Sequence, residues 1–435
     1  MLVRLSAAIE RIRSSLFFVP MAFVILALGL GLAGLEIDTR LTESDAGVPT
    51  GLTSTVDSAR AVLTTVAGAT ITVAGIAFSV SLLLIQQASS QYSPRVIHGF
   101  FRDPFNKRVM GVVVGTFTYC LVVLRSVRGP LEQDGSPVIP NLSVALAVAL
   151  GVLSILSIIA FISHSAHAMD VSKILEDVTD SARERVMALW REPDGDVSPV
   201  DDQRVHDDRS SGLRVELADS GWIQQIDFDG LAAAAGAGAT VHLDVAVGRY
   251  AVPGTPLGTI CPRPDDVETA TENARRALVI GDSRTAQQDV GYGVRQLADV
   301  ALKGLSPGVN DPTTAQDAIF HLGGVVLELL RREPPPARRQ VGEDCVVVVR
   351  EALDHGDIVG LAFDEVRLAA AGMPTVCIYL LEVIALLSES LRDRPPYVLE
   401  PLRTQAELIR DGAAIADLLP HDKQRIVDAF ESRFG

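Results

Sequence analysis

Between Leu16 and Ile162 the chain holds four long apolar runs, and a polar stretch continues from there to Gly435. Leu16 to Leu35 and Ala61 to Ile85 carry no charge, Val109 to Leu124 is shorter and draws on flanking residues, and Leu142 to Ile162 is the fourth. A helix rising about 1.5 Å per residue needs about 20 apolar residues to cross a hydrocarbon layer about 30 Å thick. A core helix of a water-soluble protein is rarely apolar on every face. The expected fold class is therefore membrane α-helical, with four transmembrane helices, plus a cytoplasmic α+β domain that is mostly helical with a small β-rich unit. The expected transmembrane domain spans 1–165, with crossings at about 16–35, 61–86, 109–125 and 142–163.

Loop charge sets the orientation, because basic loops stay on the cytoplasmic side. Arg4, Arg11 and Arg13 precede the first span, whereas Glu36, Asp38, Glu43, Asp45 and Asp57 follow it. Arg95, Arg102, Lys107 and Arg108 crowd the next loop, and the third mixes Arg125 and Arg128 with Glu132 and Asp134. Both termini are thus expected in the cytoplasm, in a multi-pass protein of the bacterial inner membrane. The first run is long for a secretory signal core and no small-x-small cleavage site follows it, so a retained anchor is expected.

A net charge of −16 argues against nucleic acid as a partner, since neutralising phosphates needs a basic face. Cys120, Cys261, Cys345 and Cys377 lie far apart, which suits a reducing compartment and gives no metal-ligand pair. His164, His167 and Asp170 fall at i, i+3 and i+6, a spacing that could collect a metal on one face. Histidines at a span boundary are more often simple boundary residues, so no metal and no cofactor is assigned.

The second span is unusual. Thr64, Gly68, Thr72, Gly75 and Ser79 recur at steps of four, four, three and four, which makes one stripe along a helix that Gln86 and Ser90 continue. Close packing explains such a stripe, since small residues let helices approach and hydroxyls bond to their own backbone. The sharper alternative is a pore lining, in which a ring of identical subunits turns the stripe toward a watery axis. No charge in the stripe names an ion. The third span has a packing motif of its own, Gly111-Val-Val-Val-Gly115. Past the second span, Pro94 should end the helix, and Arg95, Arg102, Lys107 and Arg108 make a basic collar. Such a collar sets topology and meets anionic headgroups. If a pore exists, it also forms an anion-attracting vestibule.

Two runs carry a resemblance. Phe78-Ser79 with Gln86-Gln-Ala-Ser-Ser-Gln-Tyr-Ser-Pro-Arg95, and Asp289-Val-Gly-Tyr-Gly-Val-Arg-Gln-Leu-Ala-Asp-Val-Ala-Leu-Lys-Gly-Leu-Ser-Pro-Gly-Val-Asn-Asp-Pro-Thr-Thr314, resemble the bacterial predicted membrane proteins called domain of unknown function 2254. The resemblance implies an inner-membrane protein with spans ahead of a soluble domain, over nearly the whole chain. It implies no activity, substrate or catalytic residue.

In the polar part, 166–212 reads as a membrane-exit helix and linker, 213–262 as the β-rich unit and 263–435 as helical. Trp222 to Asp227 and the alternating Thr240 to Val247 are candidate strands, with a short helix from Leu231 to Ala239 between them. Val247-Gly248 with Pro253-Gly-Thr-Pro-Leu257 is similar to the turn-bearing half of biotinyl or lipoyl carrier barrels, but no Lys lies near to take a cofactor. Helices are expected near Asp266–Leu278, Ala286–Leu302, Thr313–Arg332, Asp344–Asp354, Val359–Ala371, Thr375–Leu391, Pro401–Leu418 and Lys423–Phe434.

The segment Leu305 to Thr314 is the best local ligand candidate. Gly308 and Asn310 suit a tight turn, Asp311 an N-cap and Pro312 a first helical position, so local structure alone explains it. The alternative is a ligand loop built from Ser306, Asn310, Asp311 and Thr314, with Arg295 and Asp299 four apart on the preceding helix. Gly29-Leu-Gly-Leu-Ala-Gly34 matches a dinucleotide fingerprint only by chance, inside a span. With no phosphate loop, nucleophile elbow or His-Glu-x-x-His, an enzyme ranks third. The first expectation is a homo-oligomeric channel or transport-like protein in the lipid bilayer, whose cytoplasmic domain meets a small ligand or protein partner. The second is a membrane-anchored sensor or scaffold.

Overall fold

The structure is a computed structural model that describes residues 17–43, 54–91, 103–127, 139–167, 170–193, 208–342 and 344–435. These divide into two units, one holding the apolar helices and one running from Val171 to Gly435.

The first unit comprises α1 (Phe18–Glu43), α2 (Val56–Gln91), α3 (Pro104–Ser126) and α4 (Asn141–His167). Each contains a stretch long and apolar enough to cross a membrane. The helices overrun the apolar runs that mark them. Glu36 and Asp38 therefore lie inside α1 rather than in a loop, and Lys107 and Arg108 lie inside α3. The early start of α3 has a local cause: the Asp103 carboxylate accepts from Phe105 N at 2.8 Å, and Pro104 takes the first helical position without sacrificing a needed N–H.

Helices α1 and α3 make the closest contact in this unit, and it runs through the glycines of α3. A Cβ placed on Gly111 would lie 2.6 Å from the Phe23 ring, and one on Gly115 would lie 3.3 Å from the Phe23 carbonyl oxygen. The packing motif expected from sequence thus seats α1. Gly31 and Gly34 of α1 serve similarly against Val122 and Ser143. Leu63, Tyr119, Cys120, Val123 and Ala147 form one core, and Ala77, Val109, Val113 and Phe161 a second.

One end of the unit is tied by polar bonds. Asp38 accepts from Leu142 N and Ser143 N at 2.9 Å each and from the Ser143 hydroxyl at 2.6 Å. The Asp38 carboxylate so satisfies free donors at the N-terminus of α4, where a negative charge is also favoured by the helix dipole. The Tyr119 hydroxyl donates to the Ser143 carbonyl and the Arg60 guanidinium to the Val127 carbonyl.

The second unit opens with α5 (Val171–Leu189) and builds two sheets from β1 (Leu213–Glu216), β2 (Gly221–Ile226), β3 (Thr240–Leu243), β4 (Tyr250–Ala251), β5 (Pro256–Cys261), β6 (Leu278–Gly281), β7 (Arg338–Val341) and β8 (Cys345–Val349). One sheet has the order β1-β5-β3-β8-β7 and the other β4-β2-β6. Among the described residues only β3 and β8 run parallel; the remaining pairs are antiparallel. Helices α6 (Phe228–Ala235) and α7 (Val267–Arg276) pack on the sheets around Leu231, Val241, Leu243, Ile260 and Val347. The rest is helical: α8 (Val290–Leu305), α9 (Pro312–Leu330), α10 (His355–Ala370), α11 (Pro374–Ser390), α12 (Pro396–Ile415) and α13 (Pro420–Phe434).

Several sequence expectations need correcting, among them the helix expected from Val359, which starts at His355, and the strand expected over Thr240–Val247, which ends at Leu243. The helix expected over Asp344–Asp354 is instead strand β8, whose Cys-Val-Val-Val-Val is β-branched and mostly buried, the pattern of a strand covered on both faces. The helix expected from Ala286 starts at Val290, because Asp289 is its cap. The helix expected from Pro401 starts at Pro396 and carries Pro401 inside it.

Candidate functional site

The stripe on α2 is built by a helix with two unlike sides. Ala59, Leu63, Ala67 and Ala77 are buried against the unit's other helices. Thr64, Gly68, Thr72, Gly75, Ser79 and Gln86 are all exposed, on the side away from that core. A Cβ added to Gly68 or Gly75 would meet nothing within 4 Å. The Thr72 hydroxyl donates to the Gly68 carbonyl at 2.8 Å and the Ser79 hydroxyl to the Gly75 carbonyl at 2.9 Å. The hydroxyl protons are thus satisfied within the helix, while oxygen lone pairs stay open to the outside. Large exposed residues, Ile71, Ile76, Phe78, Leu82 and Leu83, flank the stripe and give α2 an oily surface around a small-residue seam.

Of the collar, Arg95 and Arg102 lie outside the described residues. Arg108 is exposed. Lys107 is only 4% exposed, so it does not belong to an open basic rim. The helix start at Pro104 accounts for this, since it turns Asn106, Lys107 and Val109 inward together. Nearby, His164 Nε2 lies 2.6 Å from Asp103 Oδ2, with its ring against Phe105. Among the described residues no group of histidines, cysteines and carboxylates has a metal-binding arrangement.

In the second unit, the segment from Ser306 to Thr314 joins α8 to α9, and its polar groups are largely consumed locally. The Asp311 carboxylate accepts from Thr314 N at 3.1 Å and from the Thr314 hydroxyl at 2.6 Å, which holds it below the usual carboxylate range. Asn310 takes φ 48°, a left-handed turn that Asn tolerates, and its N–H donates to the Ser306 carbonyl. The Ser306 hydroxyl donates to the Lys303 carbonyl. The Arg295 guanidinium is engaged elsewhere, with Asp299 at 2.8 Å and with both oxygens of Glu365 at 2.6 and 2.9 Å. Arg295 and Asp299 thus form a network with Glu365 of α10.

Sequence reasoning missed the group at the start of α8. The Asp289 side chain is 2% exposed, accepts from Tyr292 N at 3.0 Å and pairs with Arg284 at 2.7 Å. The Arg284 guanidinium in turn lies over the rings of Trp222 and Tyr292, 5.8 and 5.4 Å from their centroids. Burial pushes the Asp289 carboxyl up, against the pull of the Arg284 charge. Gly248, at φ 83°, leaves the space that this pair occupies, since a Cβ there would strike the Asp289 carboxylate. The signal in sequence was the glycine of the barrel-like turn, read there as a turn residue alone.

Four apolar helices ahead of a mixed, mostly helical unit define an integral membrane protein. The chain belongs to the family described as Predicted membrane protein (DUF2254), which matches residues 13–386. It is 30% identical over 351 residues to an uncharacterized protein of Mycobacterium bovis and, to the same degree, to one of Mycobacterium tuberculosis strain H37Rv. The match covers 77% of this chain and 64% of each relative, so the chain spans less than two thirds of their length. No solved structure matches it.

Proposed function

We propose that the chain works as a homo-oligomeric, channel- or transport-like protein of the bacterial inner membrane, with both termini in the cytoplasm. The observation that supports this most is the outward face of α2. Thr64, Gly68, Thr72, Gly75, Ser79 and Gln86 are exposed, while the opposite side of the same helix is buried. Lipid offers no reason for a small, hydroxylated seam, whereas another helix or a watery lumen does. In a ring of subunits this seam lines the path, and Arg108 sits at its cytoplasmic mouth. In the same proposal the turn from Ser306 to Thr314 meets a partner, and the exposure of Val309 and Asn310 favours a protein over a small ligand.

A second reading, an anchored sensor or scaffold that transports nothing, draws support from the hydroxyls of Thr72 and Ser79. Both donate to their own helix, as they do in dry helix contacts. Ion flux from liposomes decides between the two. Flux that Ser79→Leu alters at equal incorporation supports the channel. Absence of flux across several salts and pH values, with the oligomer intact, supports the scaffold.

A further inference from the structure

One corner of the second unit holds two arginines that no carboxylate among the described residues pairs with. Arg191 follows α5 and is fixed by a two-way backbone bridge to Glu333, with N–H···O distances of 3.0 and 2.8 Å. Arg339 lies on β7, its guanidinium 4.4 Å from the centroid of the Phe228 ring. The surrounding arginines are matched. Arg332 pairs with Glu192 and with Glu328, and Arg394 pairs with Glu333. Arg191 and Arg339 have no ion pair and no side-chain hydrogen bond among the described residues.

Both side chains are partly buried, and in each the Nε–H is sealed from solvent with no acceptor. The Arg394 Nε in the same corner is also buried without a partner. The two cations feel each other as well: burial is the larger influence that lowers the Arg339 pKa, and the Arg191 charge adds to it. Two like charges partly out of water, neither paired with a carboxylate among the described residues, are costly unless something else supplies the negative charge.

We propose that Arg191 and Arg339 form a binding site for a phosphate-type oxyanion. The chemistry fits in three respects. A guanidinium presents a planar fork that matches two oxygens of a phosphate, and two forks give a tetrahedral anion four donors. The Arg339 guanidinium is seated on the aromatic ring beneath it, and the backbone bridge fixes the point from which the Arg191 side chain starts, so less ordering is needed on binding. Bound phosphate also supplies the missing negative charge. The phosphate group can belong to a free ion or to a lipid headgroup, and the two sources are separable by experiment. The site lies wholly within the second unit and stands whether or not α2 lines a path.

The test uses the full chain in a neutral detergent. Thermal unfolding is followed with inorganic phosphate, against sodium chloride of equal ionic strength. A parallel series uses mixed micelles of phosphatidic acid, against phosphatidylcholine. The wild-type midpoint is expected to rise with phosphate and not with chloride. Binding followed by calorimetry should weaken about ten-fold or more in Arg191→Gln and in Arg339→Gln. Arg339→Lys keeps the charge but loses the fork, and should bind more weakly while staying folded. Arg392→Gln, at an exposed pair with Glu389, should bind as the wild type does. A response to phosphatidic acid micelles alone assigns the group to a lipid, and a response to inorganic phosphate alone to a free ion. If neither raises the midpoint above its control, or if Arg191→Gln and Arg339→Lys bind as tightly as the wild type, the site is disproved.

Discussion

Helices α2 and α3 each carry glycines at helical spacing inside an apolar run, and the two sets have opposite fates. Gly111 and Gly115 of α3 lie under Phe23 of α1, with no room for a Cβ at Gly111. Gly68 and Gly75 of α2 face open space. The same sequence pattern therefore marks a contact made inside the unit in one helix and a vacant seam in the other. Small residues record that something approaches closely; they do not record what. In α3 the occupant is another helix of the same chain. For α2 nothing in the unit fills the seam at Gly68 or Gly75, which is the ground for proposing either a second copy or a lumen.

The sharpest way to break this contrast is to fill each seam. Gly111→Leu places a side chain where the Phe23 ring already stands, and overpacking of this kind costs about 3 kcal/mol. The expected outcome is a clear drop in the unfolding midpoint of detergent-solubilised protein and a loss of folded yield. If Gly111→Leu proves harmless, α1 and α3 do not meet as described.

Asp38 tests the same inner packing from its polar end. Asp38→Ala strips acceptors from Leu142 N, Ser143 N and the Ser143 hydroxyl, with Asp38 and Ser143 themselves buried. Leaving buried donors unsatisfied costs about 2 kcal/mol, and Asp38→Asn should recover part of it, because one carbonyl acceptor remains. Equal stability of all three proteins under denaturant titration would refute the role assigned to this carboxylate.

Asp38 also shows where sequence stops informing. In sequence it belonged to an acidic loop that sets orientation; in the structure it is a cap on a helix that begins at Asn141. The four spans were legible, because apolar length is a local property. The partner of Asp38 was not, because it comes from a distant part of the chain. The same limit explains Lys107, which was assigned to a basic rim and is buried. Val346–Val349 was misread for a different reason. A short apolar run carries no periodicity, and the β-branched composition should have outweighed the helical neighbourhood. Within the candidate site, the exposure of the α2 stripe followed a spacing visible in sequence, whereas the Asp289–Arg284 pair depended on a fold that brings Gly248 beside them.

The turn from Ser306 to Thr314 resembles the α3 seam more than the α2 seam, since its groups are mostly used where they stand. Asp311→Ala should remove the cap of α9 at a cost of about 1 kcal/mol. The pH dependence has a definite sign. The folded carboxyl sits below its unfolded value of about 3.9, so its contribution is complete above that value and is lost as pH falls through the lowered one. Acid unfolding of Asp311→Ala should accordingly lie closer to wild type than unfolding at pH 7 does. A larger gap in acid than at neutral pH would contradict the assignment.

The smallest effect on folding is expected at the vacant seam. Gly75→Leu adds a side chain where nothing lies within 4 Å, on a surface already bearing Ile71, Ile76 and Leu82. The stability of the solubilised single chain should change by no more than about 0.5 kcal/mol. Association is where the change should register. If the seam meets another copy, Gly75→Leu holds the two apart and shifts the detergent-solubilised protein toward single chains in sedimentation, while Gly68→Ala, a much smaller intrusion, leaves most of the assembly in place. If the seam lines a lumen, the assembly survives and flux falls instead. A Gly75→Leu protein that unfolds as readily as Gly111→Leu would remove the contrast between the two helices, and with it the reason to look for the occupant of α2 outside its own chain.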